Sequence, residues 1–161
     1  MGVKYTDSDF ADLGRCAMAG YNVLVGADNM LLSALATGAD GAIGITYSFA
    51  GSLHNEIFEN FHKGNMEKCN NLQEKSRLLL EKLKIYGLHA SCKHMMEFRG
   101  FGLGPLRWPQ SNLNEEESKV VEMPSIDNFI PINISKSLEE ILLFLKETCP
   151  IKFVVFCIFK F

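Results

Sequence analysis

A parallel α/β fold follows from three features of one stretch, residues 21–51, which reads YNVLVGADNMLLSALATGADGAIGITYSFAG. A short apolar run over 22–25 meets Gly-Ala-Asp, an alanine- and leucine-rich segment comes next, and a second apolar run over 42–46 closes the unit. The order is strand, helix, strand. The connection is too long for a hairpin and the strands show little polar alternation, which predicts a βαβ crossover in a sheet buried on both faces. Asp28 is placed to cap the helix by accepting backbone N–H bonds, and Gly38 supplies the left-handed position that ends it. In sheets of this kind ligands gather where strands end. Gly26, Asp28, Ile45, Thr46 and Tyr47 occupy those ends.

The remaining elements are justified in chain order. Residues 1–6, MGVKYT, predict the end of a strand whose beginning is missing. Asp7, Ser8 and Asp9 then offer capping oxygens and negative charge to a helix running to about Ala19, with Phe10, Leu13 and Cys16 repeating along it and Gly20 stopping it. After the central unit, residues 52–63 predict a helix with Leu53, Ile57, Phe58 and Phe61 on one face and Gly64 as terminator. Residues 66–86 predict a longer one, carrying Cys69, Leu72, Leu79, Leu80 and Leu83 on one side and Gly87 past its end. This helix is expected to pack against the sheet assembly or a neighbouring subunit. A further helix is predicted over 88–99, irregular chain over GFGLGPLRWPQ at 100–110, and a short helix opened by Asn114, Glu115, Glu116 and Glu117 and ending near Met123. The composition then shifts. Residues 124–131 break regular structure, 137–147 are helix-like, and IKFVVFCIFKF at 151–161 is apolar, β-branched and aromatic. At 11 residues, bracketed by Lys152 and Lys160, that run predicts a buried or aggregation-prone strand. A membrane span needs roughly 20 residues.

Composition narrows the classes. The chain has 161 residues, 47% hydrophobic and 22% charged, which fits a globular chain. A formal net charge of -3 and the lack of a basic tract give no electrostatic reason to expect nucleic acid or an anionic membrane as partner. Five cysteines, widely spaced and with no Cys-x-x-Cys pair, point to a reducing compartment and away from structural zinc. The first ten residues contain Lys4, Asp7 and Asp9 and lack an apolar core, so cytoplasm is the expected location.

Candidate chemistry is sparse. A lysine ending an apolar strand and pointing into a closed pocket loses hydration, which lowers its pKa and frees an amine able to attack a ketone. Lys4 fits that description, although a lysine at a strand end is also commonly a solvated flank. Gly26 and Asp28 form a Gly-x-Asp turn able to hold sugar hydroxyls, or one that only turns the chain and caps a helix. Thr46 and Tyr47 are placed either to orient a substrate or proton, or to pack. His89, Cys92 and His94 lie close in sequence, but histidines five apart do not share a helical face, so no metal is expected. His54 and His62 are expected to face solvent without partners. No phosphate loop, dinucleotide-binding glycine turn or nucleophile elbow is present.

GVKYTDSDF followed by VLVGADNMLLSALATGADGAIGITYSFAG resembles the C-terminal half of the N-acetylneuraminate lyases, which belong with the dihydrodipicolinate synthases among pyruvate-dependent Schiff-base aldolases. The likeness runs through the long helix and GLGPLRWP to about Glu122. It implies the C-terminal portion of a (β/α)8 barrel, its last three strands followed by C-terminal helices, over 1–123, with 124–161 an unrelated apolar tail. The resemblance implies that Lys4 forms the Schiff base, that Thr6 contacts substrate, and that Gly26, Asp28, Asn29 and Ile45 line the subsite for the polyol end of the sugar. It also implies a covalent imine with no cofactor, sugar acid and pyruvate as ligands, and a homotetramer. Two positions depart from the family pattern. Asn29 replaces the usual Glu after the Asp, and Ile45 replaces Ser in Gly-Ser-Thr-Tyr. An amide replaces some of a carboxylate's hydrogen bonds and Ile45 offers none, which makes a related aldolase with another aldehyde partner the alternative. The resemblance further implies that five preceding strand-helix units, with the family's proton-relaying tyrosine, are absent, so that a non-catalytic fragment is the second alternative.

Overall fold

The computed structural model describes residues 1–122. Strands β1 (Gly2–Tyr5), β2 (Asn22–Val25) and β3 (Gly41–Ala42) form a parallel sheet in that order. Helices α1 (Phe10–Met18) and α2 (Leu31–Thr37) make the crossovers, and α3 (Tyr47–His62), α4 (Met66–Ile85), α5 (Leu88–Phe98) and α6 (Glu115–Glu122) follow. The predicted βαβ unit and the helix order are present. The predicted break over 124–131, helix over 137–147 and apolar strand over 151–161 lie outside the described residues. Among the described residues no helix is long and apolar enough to cross a membrane.

Capping explains most of the helix ends. Asp9 Oδ1 accepts the Ala11 and Asp12 N–H groups at 3.0 and 3.3 Å, starting α1. Asn114 Oδ1 accepts from Glu116 and Glu117 while Glu117 Oε2 accepts the Asn114 N–H at 2.8 Å, a reciprocal capping box that opens α6. Gly38, at φ 108°, ends α2 as predicted. The 100–110 run is irregular, as its glycines and prolines require.

Among the described residues only one face of the sheet is covered, whereas the apolar strands predicted burial on both. Val23 and Val25 are fully buried with Leu13 of α1 and Ala34 of α2, and Val3 and Tyr5 pack against the same core. On the alternate positions Gly2, Lys4 and Asn22 are exposed and Leu24 is half-buried. A second apolar cluster joins Phe49 and Ala50 of α3, Leu79 and Leu83 of α4, Cys92 and Met95 of α5, and Val121 of α6. Between the clusters, α4 lies along α3 and against the single turn of 3-10 helix Asp28–Met30, inside this chain.

Two boundaries differ from those predicted. The ladder of β3 stops at Ala42, not Thr46, although Ile43 N–H still donates to Val25 O at 2.8 Å. Beyond it the chain turns, and the Thr46 N–H bonds a carboxylate instead of a strand. That turn starts α3 at Tyr47 instead of Ser52, because Ala50 N–H closes on Thr46 O at 2.8 Å. Ala50 itself leaves helical geometry at φ -114° and ψ 26°, so the predicted start lies just past a kink.

Gly38 and Gly51 make a matched test. A Cβ on Gly38 meets both a left-handed φ and Ala17 Cβ at 3.1 Å, whereas one on Gly51, inside α3, meets open space. Gly38→Ala is expected to lower stability by about 1–2 kcal/mol and Gly51→Ala to raise it by up to ~1 kcal/mol. Urea midpoints of the two variants check both signs.

Candidate functional site

The strand ends converge on a buried carboxylate. Asp28 is 4% exposed, and its Oδ2 accepts the Thr46 N–H at 2.8 Å and the Thr46 hydroxyl at 2.5 Å. Thr46 is itself 1% exposed. Asp28 therefore does not cap α2, as its position in sequence suggests; its side chain instead bridges the end of β2 to the segment after β3. Gly44 makes this possible, since a Cβ there would overlap Asp28 Oδ1. The missing cap comes from α4: Gln73 Oε1 accepts the Leu32 N–H at 2.8 Å, and Gln73 Nε2 donates to Asp28 O at 3.3 Å.

Behind Asp28 lies a polar chain inside the core. Ser76 Oγ is 3.2 Å from Asp28 O and 2.9 Å from His54 Nε2, and His54 Nδ1 is 2.9 Å from Ala50 O. A carbonyl only accepts, so Nδ1 carries the proton. Burial lowers the His54 pKa from 6.5 to about 4, with the Ala50 carbonyl and Asp28 opposing the shift, so the ring is neutral and its bare Nε2 accepts from Ser76. This corrects the expectation of a solvent-facing, unpartnered His54. His62 is exposed, but its ring stacks edge-on against Phe58, with centroids 4.5 Å apart. The Tyr47 ring meets His54 edge-on at 4.1 Å. The Tyr47 hydroxyl is buried without a hydrogen-bond partner among the described residues, and burial, then Asp28, raises its pKa.

Lys4, Thr6 and Gly26 come together on the uncovered face. Gly26 N–H extends the ladder to Tyr5 O at 2.7 Å, and a Cβ on Gly26 would overlap Thr6 Oγ1 and lie 3.1 Å from Lys4 Cε. Glycine is thus required where the two side chains cross β2. Lys4 and Thr6 are both exposed, so the closed pocket expected around Lys4 is not built by the described residues; the open sheet face is the reason. Asn29 is half-buried in the turn after Asp28. Ile45 packs against the second apolar cluster. His89 is exposed and Cys92 buried, the latter's thiol pushed up to about 12 by burial and then by Asp28. No cluster of three or more metal-ligating side chains occurs among the described residues.

Gln73 and Ser76 escaped the sequence reading, although both break the apolar stripe through Cys69, Leu72, Leu79, Leu80 and Leu83 that defines α4's inner side. His54 carried a similar signal, one helical turn from Ala50 and from Ile57, both fully buried.

The chain is a parallel α/β unit with Lys4 near the end of β1, Thr6 just past it and Asp28 past β2, the edge of the sheet at which α/β proteins of this class bind ligands. Within that class the chain is a member of the Dihydrodipicolinate synthetase family, whose profile matches residues 1–124. It is similar to an N-acetylneuraminate lyase of Danio rerio, 34% identical over 114 residues that cover 67% of this chain and 37% of that protein. Its fold matches the crystal structure of an N-acetylneuraminate lyase from Fusobacterium nucleatum at a TM-score of 0.74 and 29% identity, over 81% of this chain and 45% of that one. The same bacterial protein has been crystallised with pyruvate. A Clostridium difficile homologue in complex with mannosamine matches at a TM-score of 0.72 and 28% identity, covering 76% of this chain and 43% of that one. The chain thus spans less than half the length of these relatives.

Two outcomes test this geometry. Thr46→Val removes one donor from a buried carboxylate and is expected to cost roughly 1–3 kcal/mol, with Thr46→Ser recovering most of it, as read by urea denaturation. His54 binds a proton less readily folded than unfolded, so stability is complete above about pH 6.5 and falls as pH drops towards about 4. The loss totals on the order of 3 kcal/mol and should shrink in His54→Gln, measured as urea midpoints between pH 7.5 and 4.5.

Proposed function

We propose that this chain is the Schiff-base-bearing part of a pyruvate-dependent carbon-carbon lyase, acting in the reversible aldol cleavage of N-acetylneuraminate to N-acetylmannosamine and pyruvate. The three strands and their helices are read as the last three units of a (β/α)8 barrel. The observation that carries the proposal is the crossing of Lys4 and Thr6 over Gly26, where no Cβ fits. It supports a common site for the residues that family resemblance assigns to the imine, to substrate and to the sugar turn. In this reading the Lys4 amine attacks the C2 carbonyl of the sugar acid and water leaves, giving an iminium. The C4 hydroxyl loses its proton to a base that the resemblance assigns outside this chain, the C3–C4 bond breaks, and its electron pair moves into the enamine. Protonation at C3 and hydrolysis then release pyruvate and restore Lys4. No cofactor enters this scheme. Asp28, Gly26 and Asn29 hold the polyol end of the sugar.

A second reading has its own observation. Ile45 sits where the family uses a hydroxyl and packs against the apolar cluster that contains Phe49, Leu79 and Cys92, which favours an aldehyde partner with fewer hydroxyls. Comparing N-acetylmannosamine with shorter aldehydes as acceptors for pyruvate separates the two.

The decisive experiment traps the imine. The chain is incubated with pyruvate and reduced with borohydride, and intact and peptide masses are read. One adduct confined to Lys4, and lost in Lys4→Ala, is the expected result. Its absence overturns catalysis by this chain alone.

A further inference from the structure

We propose that Gln73 of α4 is a positioning residue for Asp28, acting through the backbone of the turn. The inference rests on the reading of Asp28 as a sugar ligand and adds a residue that the family resemblance did not assign. Asp28 is gripped at two points. Its carboxylate is held by Thr46, and its own carbonyl receives Gln73 Nε2–H at 3.3 Å and approaches Ser76 Oγ at 3.2 Å. Those two contacts are unequal. Ser76 Oγ donates to Asp28 O but lies closer, at 2.9 Å, to His54 Nε2, so its one proton is shared between two acceptors, whereas Gln73 Nε2 donates to Asp28 O.

The other end of the same amide accepts the Leu32 N–H at 2.8 Å. One side chain therefore spans the turn from Asp28 to the first residues of α2, satisfying a carbonyl before the helix and an orphan N–H inside it. The turn has no side-chain cap of its own at either Ala27 or Met30. Without Gln73 the peptide after Asp28 is held only by the Met30 N–H bond to Ala27 O and by Ser76, and its loosening strains the carboxylate that Thr46 grips. Asp28 Oδ1, the oxygen not taken by Thr46, lies against Gly44 where no Cβ fits, so a small rotation of the turn moves it out of that space.

Two substitutions separate the two ends of the amide. Gln73→Met keeps the length and removes both hydrogen bonds, and Gln73→Glu keeps the acceptor for Leu32 but removes the donor to Asp28. Amide hydrogen exchange on the full chain reads the result directly. In Gln73→Met both the Leu32 and Thr46 amides are expected to exchange at least tenfold faster relative to Val25. In Gln73→Glu only Thr46 is expected to do so. Equal acceleration at all three amides, or none at Thr46, overturns the proposal by reducing Gln73 to a general stabiliser or to no role.

Ligand readouts then distinguish this proposal from the reading beneath it. Titration with N-acetylmannosamine is expected to show at least a tenfold weaker Kd in Gln73→Met, with imine trapping at Lys4 within twofold of the parent. If Asp28→Ala weakens sugar binding and Gln73→Met does not, positioning by Gln73 fails alone. If Asp28→Ala leaves binding unchanged, or the parent binds no sugar, Asp28 fails as a sugar ligand in this chain and the proposal falls with it.

Discussion

A buried carboxylate must find donors, because leaving it unpaired in the core costs far more than one hydrogen bond returns. Asp28 meets that demand with both donors of Thr46, and the rest of the strand-end geometry depends on it. Reaching Thr46 requires the chain after Ala42 to leave the ladder, which shortens β3. It also requires Gly44, because any larger residue would occupy the carboxylate's place. Once Thr46 is fixed, its carbonyl closes the first turn of α3 through Ala50. Asp28 is then unavailable as a cap, so α2 borrows one from α4. A single pairing thus sets a strand length, a helix start, a glycine and a long-range helix cap.

This dependence marks what was legible in the sequence and what was not. The strands at 22–25 and 2–5, the helices and their glycine stops could be read locally, because apolar periodicity and capping chemistry lie within a few residues of what they determine. Asp28 was misread as a cap because an Asp before a helix and an Asp bridging two strand ends look alike until the partner eighteen residues away is known. The end of β3 failed for the same reason. Burial on both faces was inferred from apolar strands, yet apolar character alone does not reveal whether covering elements stand over Lys4 and Leu24. Of the candidate site, the residue identities came from family motifs, whereas the crossing over Gly26 is a matter of register: Lys4 pairs with Leu24 and Tyr5 with Val25, which brings Thr6 beside Gly26.

The face left open among the described residues bears directly on the proposed chemistry. An amine attacks a ketone only when neutral, and proteins achieve this for lysine by removing water from around it. Lys4 is exposed among the described residues, so under the proposed imine chemistry these residues leave the amine without dry surroundings. Thr6 and Lys4 nevertheless sit against a residue that cannot carry a side chain, a constraint that holds their relative placement without a closed pocket. In the proposed reaction, position and desolvation are separable contributions, and the described residues bear on the first.

Ile45 shows how the fold and the proposed specificity meet in one residue. Its backbone belongs to the turn that delivers Thr46 to Asp28, and its carbonyl accepts the Ser48 hydroxyl at 2.9 Å, so the segment is held whatever side chain it carries. The side chain is free to serve either a ligand or the core, and here it joins the apolar cluster shared by α3, α4 and α5. Burying an aliphatic side chain of this size is worth roughly 1.5–3 kcal/mol when complete, comparable to what a single hydrogen bond to a charged or well-placed ligand group returns. A hydroxyl at this position would exchange packing for recognition at nearly equal free energy. In the proposed reading, Asp28 and Asn29 carry the polar recognition that remains at this end of the site, and the chemistry of the proposed aldehyde partner follows from how many hydroxyls those two side chains are able to satisfy.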